Sequence, residues 1–86
     1  MGVVQQAIEQ GGDGGRVSEE RGVDFKGGDY SKTATRGLDD CKDQCRRDGR
    51  CVAYTYALRS GTCYLKDRTG RREYDEDKVS GVKERY

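Results

Sequence analysis

The chain has 86 residues, of which 31% are hydrophobic and 38% are charged, and its mean hydropathy is −1.11. A chain of this length forms one small domain, whose core alone supplies only roughly 3–5 kcal/mol of net stability. The composition therefore excludes a large enzyme with a deep cleft, and no apolar run approaches the ~20 residues of a membrane-spanning helix. The net charge of +1 lacks the basic excess that is typical of nucleic-acid binders.

Residues 1–21 are predicted to be a flexible extension or linker. Residues 3–10 could form two helical turns, which are marginal in water, and the glycines of residues 11–15 interrupt any regular pattern. The segment lacks the basic and long apolar regions of a secretory signal peptide, so we expect this chain to be a piece of a longer secreted precursor. The folded domain is expected to occupy residues 22–86.

The domain is predicted to begin with a short strand and to continue into a helix. Residues 22–26 alternate as a strand does, residues 27–30 form a glycine turn, and residues 31–36 are extended or looped. A helix is predicted over 38–48, with acidic residues in its first turn and basic residues in its last turn. Its apolar face consists of Leu38, Cys41 and Cys45. The available N-cap is Gly37 or Thr35, and Gly49 is placed to act as a left-handed stop.

The second half of the domain is predicted to be a set of strands. Residues 51–58 are rich in β-branched and aromatic residues, which favour a strand. A turn over 59–62 leads to a partner strand over 63–66. We expect residues 67–78, which are strongly charged, to form an exposed loop, and residues 79–83 to form the last strand.

The four cysteines indicate two disulfides. Four cysteines allow three pairings, and spacing alone does not choose among them. Cys41 and Cys45 lie one helical turn apart, with Cβ atoms about 5–6 Å apart, which is too far for a bridge that prefers about 3.8 Å. Each helix cysteine is therefore expected to bond a strand cysteine. Cys51 follows the helix after a short turn and can reach Cys45, the nearer end, which leaves Cys63 for Cys41, so we expect the nested pairs Cys45–Cys51 and Cys41–Cys63. A zinc site is the alternative, but the single C-x3-C pair with no second pair and no histidine fits zinc poorly.

The stretch CKDQCRRDGRCVAYTYALRSGTCYLKD (residues 41–67) resembles the PAN/apple family. That family has a helix with C-x3-C, then C-x-A-[FY]-x-Y, then C-[YF]-L-K. Residues 22–30 are similar to its opening strand and turn, and residues 79–83 to the closing strand of bacterial-type PAN modules. The resemblance implies an α+β fold in which one helix packs on an antiparallel sheet. The third disulfide of full apple domains is missing, because no cysteine lies outside 41–63.

The resemblance also implies a function. We expect an extracellular or periplasmic adhesion module that recognises a protein or a carbohydrate, acts as a monomeric part of a larger secreted protein, and needs no metal or cofactor. The alternatives are a structural spacer with no ligand and a module that binds heparin-like polyanions. Catalysis is not expected, because the chain has no histidine to act as a base and its carboxylates lie in charged, solvated sequence.

Two groups of residues are candidates for ligand binding. If Cys51 faces the helix, strand alternation directs Tyr54 and Tyr56 to the opposite face. That face is either covered by the terminal strands and the 67–78 loop, or partly open for recognition. The second group is basic and consists of Arg46, Arg47, Arg50 and Lys66. Arginine clusters suit sulfate and carboxylate ligands, although the interleaved aspartates make a self-paired, solvated surface the alternative.

Overall fold

The computed structural model of the chain describes residues 16–84. Within this range it contains one helix and six strands, which are all paired antiparallel. In chain order these are β1 (Arg16–Val17), β2 (Glu20–Lys26), β3 (Asp29–Ala34), α1 (Leu38–Arg47), β4 (Ala53–Ala57), β5 (Thr62–Lys66) and β6 (Arg71–Glu84). The predicted α+β class is confirmed. The helical turns expected in residues 3–10 lie outside the described residues.

The long strand β6 pairs with both N-terminal strands of the described range and with the central strand β4. The sheet order is β1-β6-β4-β5-β3, and β2 also pairs with β6. At its C-terminal end β6 pairs with β1, so that Arg16 lies opposite Glu84. The strand β3 pairs with β5 and is the outermost strand on the other side.

The β2–β6 pairing is interrupted by a large bulge that curls the sheet. Arg21 pairs with Val79, but Val23 pairs with Tyr74, so residues 75–78 lie opposite Gly22 alone. Gly22 has a φ of 78°, a backbone conformation that glycine adopts without steric cost. Beyond the bulge, residues 23–26 and 71–74 form a two-stranded ribbon, which we call the β2–β6 ribbon.

The β2–β6 ribbon packs against the face of the sheet that is opposite α1. The amide of Phe25 donates a hydrogen bond to Thr55 Oγ1 at 3.4 Å, and Ser80 Oγ donates one to the carbonyl oxygen of Val23 at 2.7 Å. Val23, Phe25 and Ala53 form a small buried cluster here. The ribbon therefore covers a face that would otherwise expose the apolar side chains of β4.

The larger core lies between α1 and the sheet and contains both disulfides. Cys41 is bonded to Cys63, and Cys45 to Cys51, as the sequence led us to expect. All four cysteines have no exposed surface. They pack with Tyr54, Tyr56 and Leu65 in one cluster. The helix is thus attached to the sheet by two covalent links as well as by apolar contacts.

The ends of α1 follow the prediction at one terminus only. Gly37 is the N-cap. Gly49 is not a left-handed stop, because its φ is not positive. The C-cap is Asp48, whose backbone is extended (φ −93°, ψ 115°). The amide of Cys51 then donates a hydrogen bond to the Asp48 carbonyl oxygen at 3.0 Å. This tight turn brings Cys51 against Cys45, and the disulfide holds it there.

The exposed loop predicted over residues 67–78 is largely wrong, because β6 begins at Arg71. Backbone pairing of residues 71–74 with β2 and of Lys78 with β4 places these charged residues in a strand, while most of their side chains remain in contact with solvent. Residues 16–21, which we had assigned to the extension, also contain β1 and the start of β2. Ser18 attaches this segment to β6, since its amide and Oγ both hydrogen-bond to the backbone of Val82 at 2.9 Å.

Candidate functional site

The two tyrosines proposed for an open face lie instead in the core beneath α1. Tyr54 is 0% exposed and Tyr56 is 7% exposed, and both pack with the helix cysteines. The predicted orientation was wrong because Cys51 and Val52 precede β4 in an irregular segment. Strand alternation therefore cannot be extended from Cys51 into the strand. Burial raises the pKa of the Tyr54 hydroxyl well above its ordinary value.

The arginines at the end of α1 are largely paired within the domain. Arg46 and Arg47 both contact the carboxylate of Asp43, the latter at 3.1 Å between Nε and Oδ2. The Arg50 guanidinium lies over the Tyr30 ring, 4.4 Å from its centroid, and 3.6 Å from Asp67. These side chains are exposed, and such pairs contribute little to stability. These arginines therefore form a self-paired, solvated surface, which was the alternative to an anion-binding cluster.

Lys66 is buried, with only 3% of its side chain exposed. Its Nζ donates a hydrogen bond to the carbonyl oxygen of Gly27 at 3.1 Å and contacts the carboxylate of Asp29. The ammonium group thus connects β5 to the turn between β2 and β3. In this position it holds the fold together and is not accessible to a large ligand.

Asp48 is the centre of a polar cluster at the C-terminal end of α1. The Tyr30 hydroxyl donates a hydrogen bond to its Oδ2 at 2.8 Å, and the Arg50 amide donates one to its Oδ1 at 2.9 Å. Both hydrogen bonds lower the pKa of the Asp48 carboxyl, and the one from the Arg50 amide has the larger effect. Lys83 Nζ donates to the Asp48 carbonyl oxygen at 2.6 Å. The cluster joins β3, α1 and β6.

Three hydrogen bonds, which we call the α1–β3 ladder, join α1 and its C-cap Asp48 to β3 and to Arg36 just beyond it. The pairs are Asp40 Oδ2 with the Arg36 amide (3.3 Å), Gln44 Oε1 with Thr33 Oγ1 (3.2 Å) and Asp48 Oδ2 with the Tyr30 hydroxyl (2.8 Å). The helix residues are four apart and share one face. These bonds attach the start of β3, its later residues and the turn after it to α1 and its C-cap.

One exposed aromatic residue was missed by the sequence analysis. Tyr74 is 92% exposed on the β2–β6 ribbon, whereas Leu58 and Val52 are only 44% and 37% exposed. Arg71 and Arg72 beside it have 81% and 58% of their side chains exposed. In the sequence, Tyr74 is an isolated tyrosine within a charged stretch, and this isolation could have marked it as a contact residue. The stretch was predicted to be a loop, so the residue was not singled out.

The described surface also has a shallow, open depression at the N-terminal end of α1. Side chains of both signs line it, including Glu19, Arg21, Arg36 and Asp39. Among residues 16–84 no three side chains of the metal-ligating types come together. No helix in the same range is sufficiently long and apolar to cross a membrane.

Comparison with known proteins identifies the family. The family model described as the PAN domain matches residues 23–66, which is 44 of the 86 residues. The chain belongs to the PAN domain family. The matched range contains α1, both disulfides and the strands β3, β4 and β5. PAN domains are protein- or carbohydrate-binding modules of secreted proteins and are not enzymes.

This PAN domain also resembles a viral protein. A 45-residue stretch, 52% of the chain, is 31% identical to the uncharacterized protein L719 of Acanthamoeba polyphaga mimivirus. The match covers 13% of the length of that relative. The similarity therefore concerns the domain and not the whole viral protein.

Proposed function

We propose that this PAN domain is an extracellular or periplasmic adhesion module that recognises a protein or a carbohydrate as part of a larger secreted protein. The observation that carries the proposal is the pair of fully buried disulfides that attach α1 to the sheet. Disulfides of this kind persist in oxidising compartments. They support a small scaffold whose surface can be used for binding.

We assign the contact surface to the β2–β6 ribbon around Tyr74. Tyrosine and arginine are enriched among residues that dominate binding energy, and a tyrosine ring can also stack on a sugar. Tyr74 is exposed, and beside it lie Arg71 and Arg72, which are also exposed although they pair with Glu73 and Glu20. The ribbon is anchored by the buried side chains of Val23 and Phe25, and a rigid element presents contact residues better than a loop.

The two alternatives have less support. A polyanion-binding surface at Arg46, Arg47 and Arg50 would require the ligand to compete with Asp43 and Asp67. A spacer with no ligand needs no exposed aromatic ring, whereas the ring of Tyr74 is of the residue type that is enriched among dominant binding contacts.

The proposal is tested with the oxidised 86-residue chain on a glycan array and against secreted proteins of its source. We expect one glycan class or one protein to be retained, with an affinity that falls by about tenfold in Tyr74→Ala. The matched control is Leu58→Ala, which also removes an exposed apolar side chain and should leave binding unchanged. No retention by the oxidised chain would favour the spacer. Tight heparin retention that is lost on replacing Arg46, Arg47 and Arg50 by alanine would favour the polyanion alternative.

A further inference from the structure

The outer strand β3 has one edge that no described strand covers. It is the last strand in the sheet order and pairs with β5 alone, and all its residues are exposed or half-buried. The Thr35 amide donates a hydrogen bond to the Gly61 carbonyl oxygen on the inner side. Because backbone groups alternate in direction along a strand, the peptide groups of Lys32 and Ala34 are directed to the outer edge.

This edge is held extended before any partner arrives. The α1–β3 ladder attaches Tyr30, Thr33 and Arg36 to the helix, and β5 pairs along the other side. A strand that is already ordered loses little conformational entropy when a partner binds it. The edge is therefore suited to accept a further strand.

Two cations lie beside the edge, Lys32 on β3 and Arg36 just beyond it, where the Asp40 carboxylate accepts a hydrogen bond from the Arg36 backbone amide and not from its guanidinium. Neither Lys32 nor Arg36 forms an ion pair with any carboxylate of residues 16–84, in contrast to the arginines at the end of α1. The Lys32 ammonium lies 6.0 Å from the centroid of the Tyr64 ring, on the face of the sheet away from α1. A lysine on an edge strand discourages pairing with a second copy of the same edge, and it attracts a carboxylate instead.

We propose that the β3 edge binds an acidic, extended peptide segment of a partner protein as an added strand. The peptide would hydrogen-bond to the backbone of Lys32 and Ala34, and a carboxylate would lie beside Lys32, since paired residues of adjacent strands share a face. Arg36 adds a second cation just beyond the end of β3. This inference rests on the proposed function for the existence of a partner, and it names a peptide as the element recognised.

The test uses a fluorescent peptide, TVEVEVT, and its lysine counterpart, TVKVKVT, with the oxidised full chain at low ionic strength. We expect the glutamate peptide to bind about tenfold more tightly than the lysine peptide and to protect the amides of Lys32 and Ala34 from hydrogen exchange. Lys32→Glu should abolish this preference. Ala34→Pro, which removes an outward amide without touching the β5 pairing, should weaken binding of both peptides.

The matched control is Arg16→Glu, which makes the same charge change on β1 at the opposite side of the sheet. This variant should bind both peptides as the wild type does. The proposal is overturned if neither peptide binds, if Lys32→Glu binds like the wild type, or if protection appears at other amides. Concentration-dependent protection of the same amides without peptide would identify a second copy as the occupant and would also overturn it. Retention of a glycan or protein that depends on Tyr74 would leave the proposed function standing in each case.

Discussion

The hydroxyl of Tyr54 donates a hydrogen bond of 2.6 Å to the carbonyl oxygen of Ser18. The ring is fully buried under α1, and the acceptor lies in the segment between β1 and β2. Tyr54, a candidate ligand contact in the sequence, thus links the disulfide core to the N-terminal strands. This link determines how the first strands are held against β6.

Replacing Tyr54 by phenylalanine should destabilise the domain by about 1 kcal/mol, because the hydrogen bond is lost while the ring packing is kept. The measurement is urea unfolding followed by far-UV circular dichroism. Tyr74→Phe, which changes an exposed hydroxyl, is the control and should leave the unfolding midpoint unchanged. Equal stability of Tyr54→Phe and the wild type would contradict a structural role for the hydroxyl.

Gly81→Ala should be far more damaging than its single added methyl suggests. A Cβ at this position would overlap the Ser18 carbonyl oxygen and lie 2.7 Å from Tyr54 Cε1. Because Tyr54 belongs to the packed core and Ser18 is held by two hydrogen bonds to Val82, the segment after β1 must move away from β6. We expect loss of protection from hydrogen exchange at Ser18 and Val82 and a marked fall in melting temperature. Gly49→Ala, where a Cβ meets nothing within 4 Å, should behave nearly like the wild type.

The two disulfides should differ in their contribution to stability. They separate residues by 22 positions (Cys41–Cys63) and by 6 positions (Cys45–Cys51). The chain-entropy model predicts about 3 kcal/mol for the longer loop and about 2 kcal/mol for the shorter one. Paired cysteine-to-alanine variants, compared by thermal unfolding, should therefore rank in that order. The reverse order would show that packing around Cys45 outweighs loop entropy.

Alkaline pH should destabilise the domain through its buried tyrosines. Burial raises the pKa of the Tyr54 hydroxyl, and burial together with the hydrogen bond to Asp48 raises that of Tyr30, both above the ordinary value of 10.0. The unfolded chain releases these protons more readily, so the stabilisation is complete below about pH 10 and falls as the pH rises above it. Tyrosinate absorbance should show these two groups ionising only as the domain unfolds. Ionisation of every tyrosine near pH 10 in the folded state would refute this expectation.

The helix and the disulfides could be predicted because local geometry determines them. The spacing of Leu38, Cys41 and Cys45 specifies a helix face, and the distance between the Cβ atoms of the two helix cysteines excludes their pairing. Each inference uses residues that are close in sequence. The structure agrees with both.

The first half of β6 and the orientation of β4 could not be predicted in the same way. Residues 71–78 are charged, and they belong to a strand because residues 71–74 pair with the distant β2 and Lys78 pairs with β4, so their own composition favoured a loop. The orientation of Tyr54 depends on the irregular backbone between Cys51 and Ala53, which no periodicity reveals. Consequently the sequence-based candidates Tyr54, Tyr56 and Lys66 are core residues, and the exposed Tyr74 was overlooked.

The pairing of Arg16 with Glu84 has a mechanical consequence. Because the described chain enters and leaves the fold at neighbouring points, tension applied through both flanking segments would separate β1 from β6 one residue pair at a time, as a zipper opens. Such opening requires little force for each pair, but the covalent bond between Cys41 and Cys63 prevents the intervening residues from extending. Under load the domain would therefore lengthen by the separation of β1 from β6, while the region between Cys41 and Cys63 stays intact.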